Sequence, residues 1–337
     1  MQFDWTVEGP IGAVADEAAA AEAEGYDGVW IGETNRDPFV ALTVAAGATT
    51  GVSVGSAIAV AFARSPMNLA YMARDLQELS GGRFVLGLGT QVQAHVERRF
   101  SMPWSRPVAR MREMVLAIRA IWEAWQHGTK LRFEGDFYSH TLMTPFFAPP
   151  PLPGEPPPVY LAGVGQHMTE AAGEVADGFL FHAFTTPDYL RQVTIPALRR
   201  GRERAGKSMD GFVVCGPAMA VVADNDDDLA RGVAAAKDRV AFYASTPAYR
   251  PVLDAHGWGH LQGELADLAR NGQWAAMGPA IDDDVLAAFA VVGTAKDVAA
   301  GLRQRYGDVA DRLTCYSPAP SPPAAWRPLL DAAREDD

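Results

Sequence analysis

The alternation of short apolar runs with helical patterns constrains the fold of this chain more than any other feature of its sequence. Turns rich in glycine and proline separate the runs. The predicted strands cover residues 3–7, 29–31, 52–63, 84–88, 159–162, 178–182, 212–222 and 312–316. This alternation predicts a parallel sheet covered by helices, because each helical connection returns the chain to the same edge of the sheet.

Eight strand–helix units over about 315 residues predict an α/β fold, a single (β/α)8 TIM barrel. We expect one domain over residues 1–337. Two segments break the rhythm and are predicted insertions, residues 127–158 after strand four and residues 245–287 before strand eight. An open doubly wound sheet is the alternative, and it is disfavoured because no G-x-G-x-x-G motif follows the first strand.

Charge and composition exclude several classes of function. A net charge of −12 disfavours a general binder of nucleic acid or of an anionic membrane. The chain has neither a signal peptide pattern nor an apolar run of membrane-spanning length, so we expect a cytoplasmic protein. Cys215 and Cys315 lie in strand-like runs, where free buried thiols are more common than a disulfide.

Polar and glycine-rich residues follow several of the predicted strands. In a TIM barrel the C-terminal ends of the strands form the active site. The residues predicted there are Glu33 and Thr34 after strand two, Ala57 and Ile58 in strand three, Thr90 and Gln91 after strand four, Gly163, Val164, Gly165 and Gln166 after strand five, and His182 at the end of strand six. The turns after strands four and five are glycine-rich and precede helices, an arrangement that binds anions.

A basic segment follows the fourth strand. Residues 95–112 contain one glutamate, Glu97, and five arginines, which are Arg98, Arg99, Arg106, Arg110 and Arg112. A solvated helix face explains the outer arginines. The alternative is a binding surface for a polyanionic ligand beside the turn after strand four.

Metal and nucleophile chemistry have little support in the sequence, and we predict no metal. His256 and His260 are four residues apart, but Gly257 and Gly259 between them disfavour a helical ligand pair. The string G-x-S-x-G occurs at residues 51–55, but it enters the predicted strand 52–63 and does not form the strand-to-helix turn of a nucleophile elbow. A cofactor-free barrel hydrolase is therefore disfavoured.

The segments GYDGVWIGE, VGSAIAVAFARSP, DLQELSGGRFVLGLGT, PPPVYLAGVG and ADGF occur in this order along the chain. With them, residues 3–316 resemble the luciferase-like monooxygenase superfamily of flavin and deazaflavin barrel enzymes. The segments ETNRDPF and ERRFSMPWSRP are similar to the branch that uses the deazaflavin F420. The resemblance therefore implies F420 as the cofactor, with FMN as the alternative.

The resemblance also implies roles for the residues at the strand ends. Ala57–Ile58 matches a non-prolyl cis peptide that forms a bulge behind the deazaflavin ring. Thr90 and Gln91 match a turn that contacts the cofactor's side chain, and residues 163–166 match the loop that holds its phosphate. Glu33 matches an acid near the ring. Thr34 stands beside it, where several F420 dehydrogenases have a histidine base, and this departure weakens the case for alcohol oxidation by such a base.

These inferences predict an F420-dependent oxidoreductase that transfers a hydride between the deazaflavin C5 and a small organic substrate, which is a carbonyl, an alcohol or an activated alkene. Glu33 and His182 are the candidate proton donors. One alternative is an FMN-dependent monooxygenase that uses O2 and a partner reductase. Another is a non-catalytic flavin- or F420-binding protein, which the replacement at Thr34 suggests. The resemblance also implies a homodimer.

Overall fold

The computed structural model describes residues 1–317 and 322–335 and contains a closed parallel barrel. The strands in these ranges are β1 (Gln2–Thr6), β2 (Gly28–Ile31), β3 (Ser53–Ser56), β4 (Ala59–Val60), β5 (Phe84–Gly89), β6 (Phe133–Glu134), β7 (Ser139–His140), β8 (Val159–Ala162), β9 (Gly178–Leu180), β10 (Val213–Val222), β11 (Ala290–Gly293) and β12 (Arg312–Tyr316).

Eight of these strands form the barrel, in the order β1, β2, β3, β5, β8, β9, β10 and β12. Each strand is parallel to its neighbours, and β12 pairs with β1 to close the ring. The short strand β4 continues β3 and pairs with the end of β5. The antiparallel pair β6–β7 forms a small hairpin in the first insertion. The structure therefore confirms the predicted TIM barrel.

Helices connect the strands and cover the outside of the barrel. They are α1 (Val14–Ala23), α2 (Pro38–Ala48), α3 (Pro66–Leu79), α4 (Gln93–Arg98), α5 (Pro107–His127), α6 (Gln166–Val175), α7 (Pro187–Tyr189), α8 (Ile195–Arg204), α9 (Asp226–Ala244), α10 (Arg250–Asp254), α11 (Gly259–Arg270), α12 (Asp283–Phe289), α13 (Ala295–Tyr306) and α14 (Arg327–Glu335). Their starts follow the sequence signals. Ser65, for example, caps α3 by accepting a hydrogen bond from the Asn68 backbone N–H, as predicted.

Three elements differ from the prediction. The predicted strand over residues 52–63 is divided into β3, β4 and a 3-10 turn, because the backbone bends at Ala57 and Ile58 within a continuous apolar run. The predicted strand 178–182 ends at Leu180, so His182 lies beyond it. The strand β11 was not predicted, because its apolar residues continue the pattern of α12; it pairs with the outer half of β10, outside the ring.

A buried ion pair fills the N-terminal half of the barrel interior. Arg312 donates hydrogen bonds of 2.6 and 2.9 Å to the two carboxylate oxygens of Asp4, and the indole N–H of Trp30 donates to the same carboxylate at 2.8 Å. Gly55 leaves room for the indole ring, since a Cβ at this position would lie 2.3 Å from Trp30 Cζ3. The contacts link β1, β2 and β12.

Removing one partner of this pair should strongly destabilise the protein, because the other charge would remain buried without compensation. For Arg312→Met we expect a loss of about 3–5 kcal/mol in the free energy of unfolding, measured by chemical denaturation. The control, Arg327→Met, breaks contacts of a solvent-exposed arginine with Asp331 and Glu24 and should change the free energy of unfolding much less than Arg312→Met, because water screens such surface pairs. Equal losses in the two variants would contradict this account of the barrel interior.

Candidate active site

The C-terminal ends of five neighbouring barrel strands bring the sequence-predicted residues to one rim. The register pairs Val60 with Gly89 and Leu88 with Leu161, so the turns after β3, β5 and β8 are adjacent. β2 and β9 flank these strands. The rim therefore contains all the predicted positions: Glu33 and Thr34, Ala57 and Ile58, Thr90 and Gln91, residues 163–166, and His182.

The Ala57–Ile58 peptide bond is cis, as the resemblance implies. The Ala57 N–H donates to the Ile31 carbonyl, and the Ile58 carbonyl accepts from the Glu33 N–H, both at 3.0 Å. Ala57 is exposed at the rim and Ile58 is half-buried. The bulge is therefore attached to the end of β2 on both sides of the cis bond and presents Ala57 to the barrel mouth.

The carboxylate of Glu33 is buried and already fully engaged. It accepts a hydrogen bond of 2.7 Å from the Val60 N–H and forms a bidentate ion pair with Arg64, with N–O distances of 2.7 and 3.1 Å. Arg64 also pairs with Asp37 at 2.6 Å. These contacts lie just after the bulge, so Glu33 is placed to hold the bulge in position.

The residues of the turns after β2 and β5 are more accessible. Thr34 is exposed, and its hydroxyl lies 3.4 Å from the side-chain oxygen of Asn35, a long hydrogen bond. Thr90 and Gln91 are half-buried. Gln91 has a φ of 60°, and its side-chain oxygen accepts from the Val92 N–H at 2.9 Å. The turn after β5 is thus held by its own hydrogen bond.

The turn after β8 leads directly into α6, which has ten residues. Gly165 precedes the helix, and no side chain caps the first turn. A Cβ on Gly165 would meet no atom within 4 Å, so the space in front of this helix end is open. The first backbone N–H groups of a helix and its dipole together attract anions.

The structure divides the basic segment into two groups. Arg110 is buried and donates to the Pro103 carbonyl and the Tyr138 hydroxyl, while Arg106 pairs with Asp136 and Arg112 with Glu174. Arg110 therefore has a structural role, whereas Arg112 is half-buried and Arg106 is exposed, each in an ion pair with a carboxylate. Arg98 and Arg99, in and after the short helix α4, are exposed.

The two exposed arginines lie beside the rim. Arg99 donates to the Thr34 carbonyl at 2.5 Å, which places α4 next to the turn after β2. The predicted polyanion-binding surface therefore reduces to Arg98 and Arg99.

His182 lies at the rim beyond β9, and an aromatic cluster surrounds it. The Tyr249 ring is stacked on the imidazole at 4.7 Å between centroids, and the Tyr243 ring meets it edge-on at 4.9 Å. The Tyr249 hydroxyl lies 3.1 Å from Nε2, and the Phe184 N–H donates to Nδ1 at 3.0 Å. Burial lowers the pKa of His182 to about 4.

The two tyrosines were not among the site residues predicted from the sequence. Tyr243 lies near the end of α9, and Tyr249 lies in the 3-10 turn Pro247–Tyr249 that follows. The turn belongs to the second predicted insertion, which thereby contributes directly to the rim. The sequence feature that could have indicated them is the occurrence of two tyrosines around the start of the predicted insertion, where the strand–helix alternation is interrupted.

The other side chains considered in the sequence have their own partners or are buried. His256 is hydrogen-bonded to the Thr186 hydroxyl at 2.8 Å and stacked on Trp258. Within residues 1–317 and 322–335, no group of three or more histidine, cysteine, aspartate or glutamate side chains is arranged to hold a metal ion. Cys215 and Cys315 are free and buried, as expected. No described helix combines the length and apolarity needed to cross a membrane.

Comparison with known proteins identifies the family. The profile of the luciferase-like monooxygenases matches residues 2–312, so the chain belongs to this family of oxidoreductases. An uncharacterized protein of Mycobacterium tuberculosis is 48% identical over 336 residues, which cover 100% of this chain and 97% of that protein. A 5,10-methylenetetrahydromethanopterin reductase of Archaeoglobus fulgidus is 31% identical over 287 residues, 82% of this chain and 81% of the relative.

A solved structure supports the fold. The coenzyme F420-dependent tetrahydromethanopterin reductase of Methanopyrus kandleri superposes with a TM-score of 0.81 at 21% identity, over 99% of each chain.

The depressed pKa of His182 should make stability depend on pH. The unfolded chain binds a proton at this histidine near pH 6.5 and the folded chain only near pH 4, so stability is lost as the pH falls through this window. Between about pH 8 and pH 5 the free energy of unfolding of His182→Gln should therefore fall by up to about 2 kcal/mol less than that of the wild type, measured by urea denaturation. The exposed His95, replaced in His95→Gln, is the control and should leave the pH dependence unchanged. Identical pH profiles for His182→Gln and the wild type would show that His182 is not held neutral.

Proposed function

We propose that the protein is an F420-dependent oxidoreductase that transfers a hydride between the deazaflavin C5 and a small organic substrate. One observation carries the proposal: the uncapped N-terminus of α6 opens at the same rim as the Ala57–Ile58 bulge and the exposed Arg98 and Arg99. A cofactor with a ring, a phosphate and an anionic glutamate tail fits this combination of a flat backbone surface, an anion site and free cations.

Each part of F420, from the ring to the glutamate tail, has a matching group of residues at the rim. The bulge at Ala57 and Ile58 would support the ring, and Thr90 and Gln91 would contact the side chain that links ring and phosphate. The loop of residues 163–166 would hold the phosphate through backbone N–H groups. Arg98 and Arg99 would face the glutamate tail, where they would act as exposed charges that are screened by salt.

When bound, the deazaflavin supplies hydride chemistry at C5, and the residues of this chain supply orientation. Glu33 has a structural part in this proposal, because Arg64 and the Val60 N–H occupy its carboxylate. Its role would be to hold the bulge in the position that supports the ring. Thr34 remains exposed beside the ring position and can contact substrate, but a threonine hydroxyl is too weak a base to replace a histidine.

The activities of the relatives support the same cofactor. The relative from Archaeoglobus fulgidus is a 5,10-methylenetetrahydromethanopterin reductase, and the solved tetrahydromethanopterin reductase of Methanopyrus kandleri depends on coenzyme F420. The main alternative is an FMN-dependent monooxygenase with a partner reductase, which the name of the family favours. The helix end at α6 suits the phosphate of either cofactor, whereas Arg98 and Arg99 favour the longer, more anionic F420.

We also propose a homodimer that works in the cytoplasm on a small-molecule substrate. The helix α2 is apolar on all sides although part of it is exposed, with Val40 58% accessible. It packs on α3, where the Tyr71 hydroxyl donates to the Phe147 carbonyl in the first insertion. The neighbouring Phe146 is 89% exposed, so α2 and this loop offer exposed apolar side chains to a second copy. Free buried cysteines suit a reducing compartment.

The choice of cofactor can be tested by titrating the cofactor-free protein with F420 and, separately, with FMN, following cofactor fluorescence. We expect tight binding of F420, and the double variant Arg98→Ala with Arg99→Ala should weaken it about tenfold and reduce its salt dependence. The control Arg132→Ala removes another exposed arginine, in the first insertion, and should bind normally. Binding of FMN without F420 would favour the monooxygenase, and binding of neither would refute the cofactor proposal.

The proposed dimer surface predicts that Val40→Glu dissociates the protein, because the carboxylate would be buried against the partner without compensation. Light scattering coupled to size exclusion would then give the mass of one chain. Leu116→Glu, which changes an exposed leucine on α5, is the control and should leave the dimer intact. A dimeric Val40→Glu variant would place the interface elsewhere.

A further inference from the structure

The hydrogen bonds of His182 fix the position of its proton. The Phe184 backbone N–H donates to Nδ1 at 3.0 Å, so Nδ1 must carry a lone pair. A neutral imidazole then carries its hydrogen on Nε2, and the Tyr249 oxygen lies 3.1 Å from that nitrogen. His182 is therefore the donor and the Tyr249 oxygen the acceptor.

This direction leaves the hydroxyl hydrogen of Tyr249 available. Within the part of the chain that the structure describes, the Tyr249 hydroxyl makes no hydrogen bond other than that with His182. The neighbouring tyrosines differ, because the hydroxyls of Tyr243 and Tyr316 bond to each other at 3.3 Å. Tyr249 is thus the phenol of this cluster that can donate to a ligand.

The surroundings keep both groups uncharged near neutral pH. Burial lowers the pKa of His182 to about 4 and raises that of Tyr249 to about 12. The ring contacts of the pair are aromatic, from Tyr243 and Phe184. Arg239 lies 5.8 Å from the centroid of the Tyr316 ring, and none of the hydrogen bonds described for His182 and Tyr249 involves a cation. Such a lining suits a neutral ligand with an apolar body and one hydrogen-bond acceptor.

We propose that Tyr249 binds the carbonyl oxygen of a neutral ketone or aldehyde and is the proton donor for its reduction. This inference rests on the proposed function for its hydride source. Reduced F420, when bound, would supply the hydride to the carbonyl carbon. As the π electron pair moves to oxygen, Tyr249 would transfer its proton to that oxygen, which gives the alcohol. The Tyr249 phenolate would then accept the Nε2–H hydrogen bond of His182 and regain a proton from solvent.

His182 is a positioning residue in this scheme. Its neutral tautomer orients the Tyr249 hydroxyl and stabilises the developing phenolate, while its own proton stays on Nε2. Because Tyr249 comes from the second insertion, the insertion would select the substrate as well as cover the site. Carboxylate substrates should bind poorly, since no hydrogen bond that the structure describes for Tyr249 or His182 involves a cation that could pair with a carboxylate.

The inference can be tested without any cofactor by infrared spectroscopy of bound, carbonyl-labelled acetophenone. A hydrogen bond from Tyr249 should shift the carbonyl stretch to lower frequency in the wild type, and Tyr249→Phe should abolish this shift. The matched control is Tyr316→Phe, which removes a phenol paired with Tyr243 and should retain the shift. An unchanged shift in Tyr249→Phe, or no shifted band in the wild type at saturating ketone, would overturn the inference.

Two further readouts separate a catalytic from a structural role. Nitrogen-15 NMR should show the His182 hydrogen on Nε2 in both the wild type and Tyr249→Phe, which also reports that the variant is folded. With F420 bound, Tyr249→Phe should lower kcat about 100-fold with a smaller effect on KM. If F420 does not bind while the carbonyl shift depends on Tyr249, the proposed function fails and the ketone site stands; if F420 binds and the shift does not depend on Tyr249, only this inference fails.

Discussion

The buried ion pair between Asp4 and Arg312 determines which end of the barrel can carry out chemistry. It joins the first and last barrel strands, and Trp30 packs over it from the second, so the N-terminal half of the interior is filled. Such a pair adds little stability over an apolar filling of the same shape, but breaking it leaves a charge buried. The interior therefore tolerates no ligand there, and the C-terminal rim is the place left for one.

A second ion pair organises that rim. Glu33 and Arg64 join the end of β2 to the segment after the bulge. The Glu33 N–H donates to the Ile58 carbonyl, and the Glu33 carboxylate accepts from the Val60 N–H. The rim then has two parts with different chemistry. One contains the α6 helix end and the exposed arginines and suits an anionic cofactor. The other contains His182, Tyr243 and Tyr249 and suits a neutral substrate.

Much of this arrangement could be predicted from the sequence, because strand–helix alternation and capping residues are local signals. Ser65 and the turn before α6 illustrate this. The division of residues 52–63 could not be derived from composition, since the apolar run continues through Ala57 and Ile58; the family resemblance supplied the cis bond. Contacts between distant side chains could not be predicted either. The sequence does not show that Arg64 forms an ion pair with Glu33, or that Arg110 is buried while Arg98 is exposed. Tyr249 was missed because its contact with His182 spans 67 residues.

We propose that this rim supports hydride transfer from a deazaflavin to a neutral carbonyl compound. Its most direct test mixes the protein with reduced F420 and a panel of neutral ketones and aldehydes without oxygen, and follows the absorbance of oxidised F420. We expect the absorbance of oxidised F420 to increase at the same rate as the alcohol product forms, and carboxylate-bearing analogues to react far more slowly. Bound F420 that stays reduced across the whole panel would contradict the account and indicate a cofactor-binding protein without this activity.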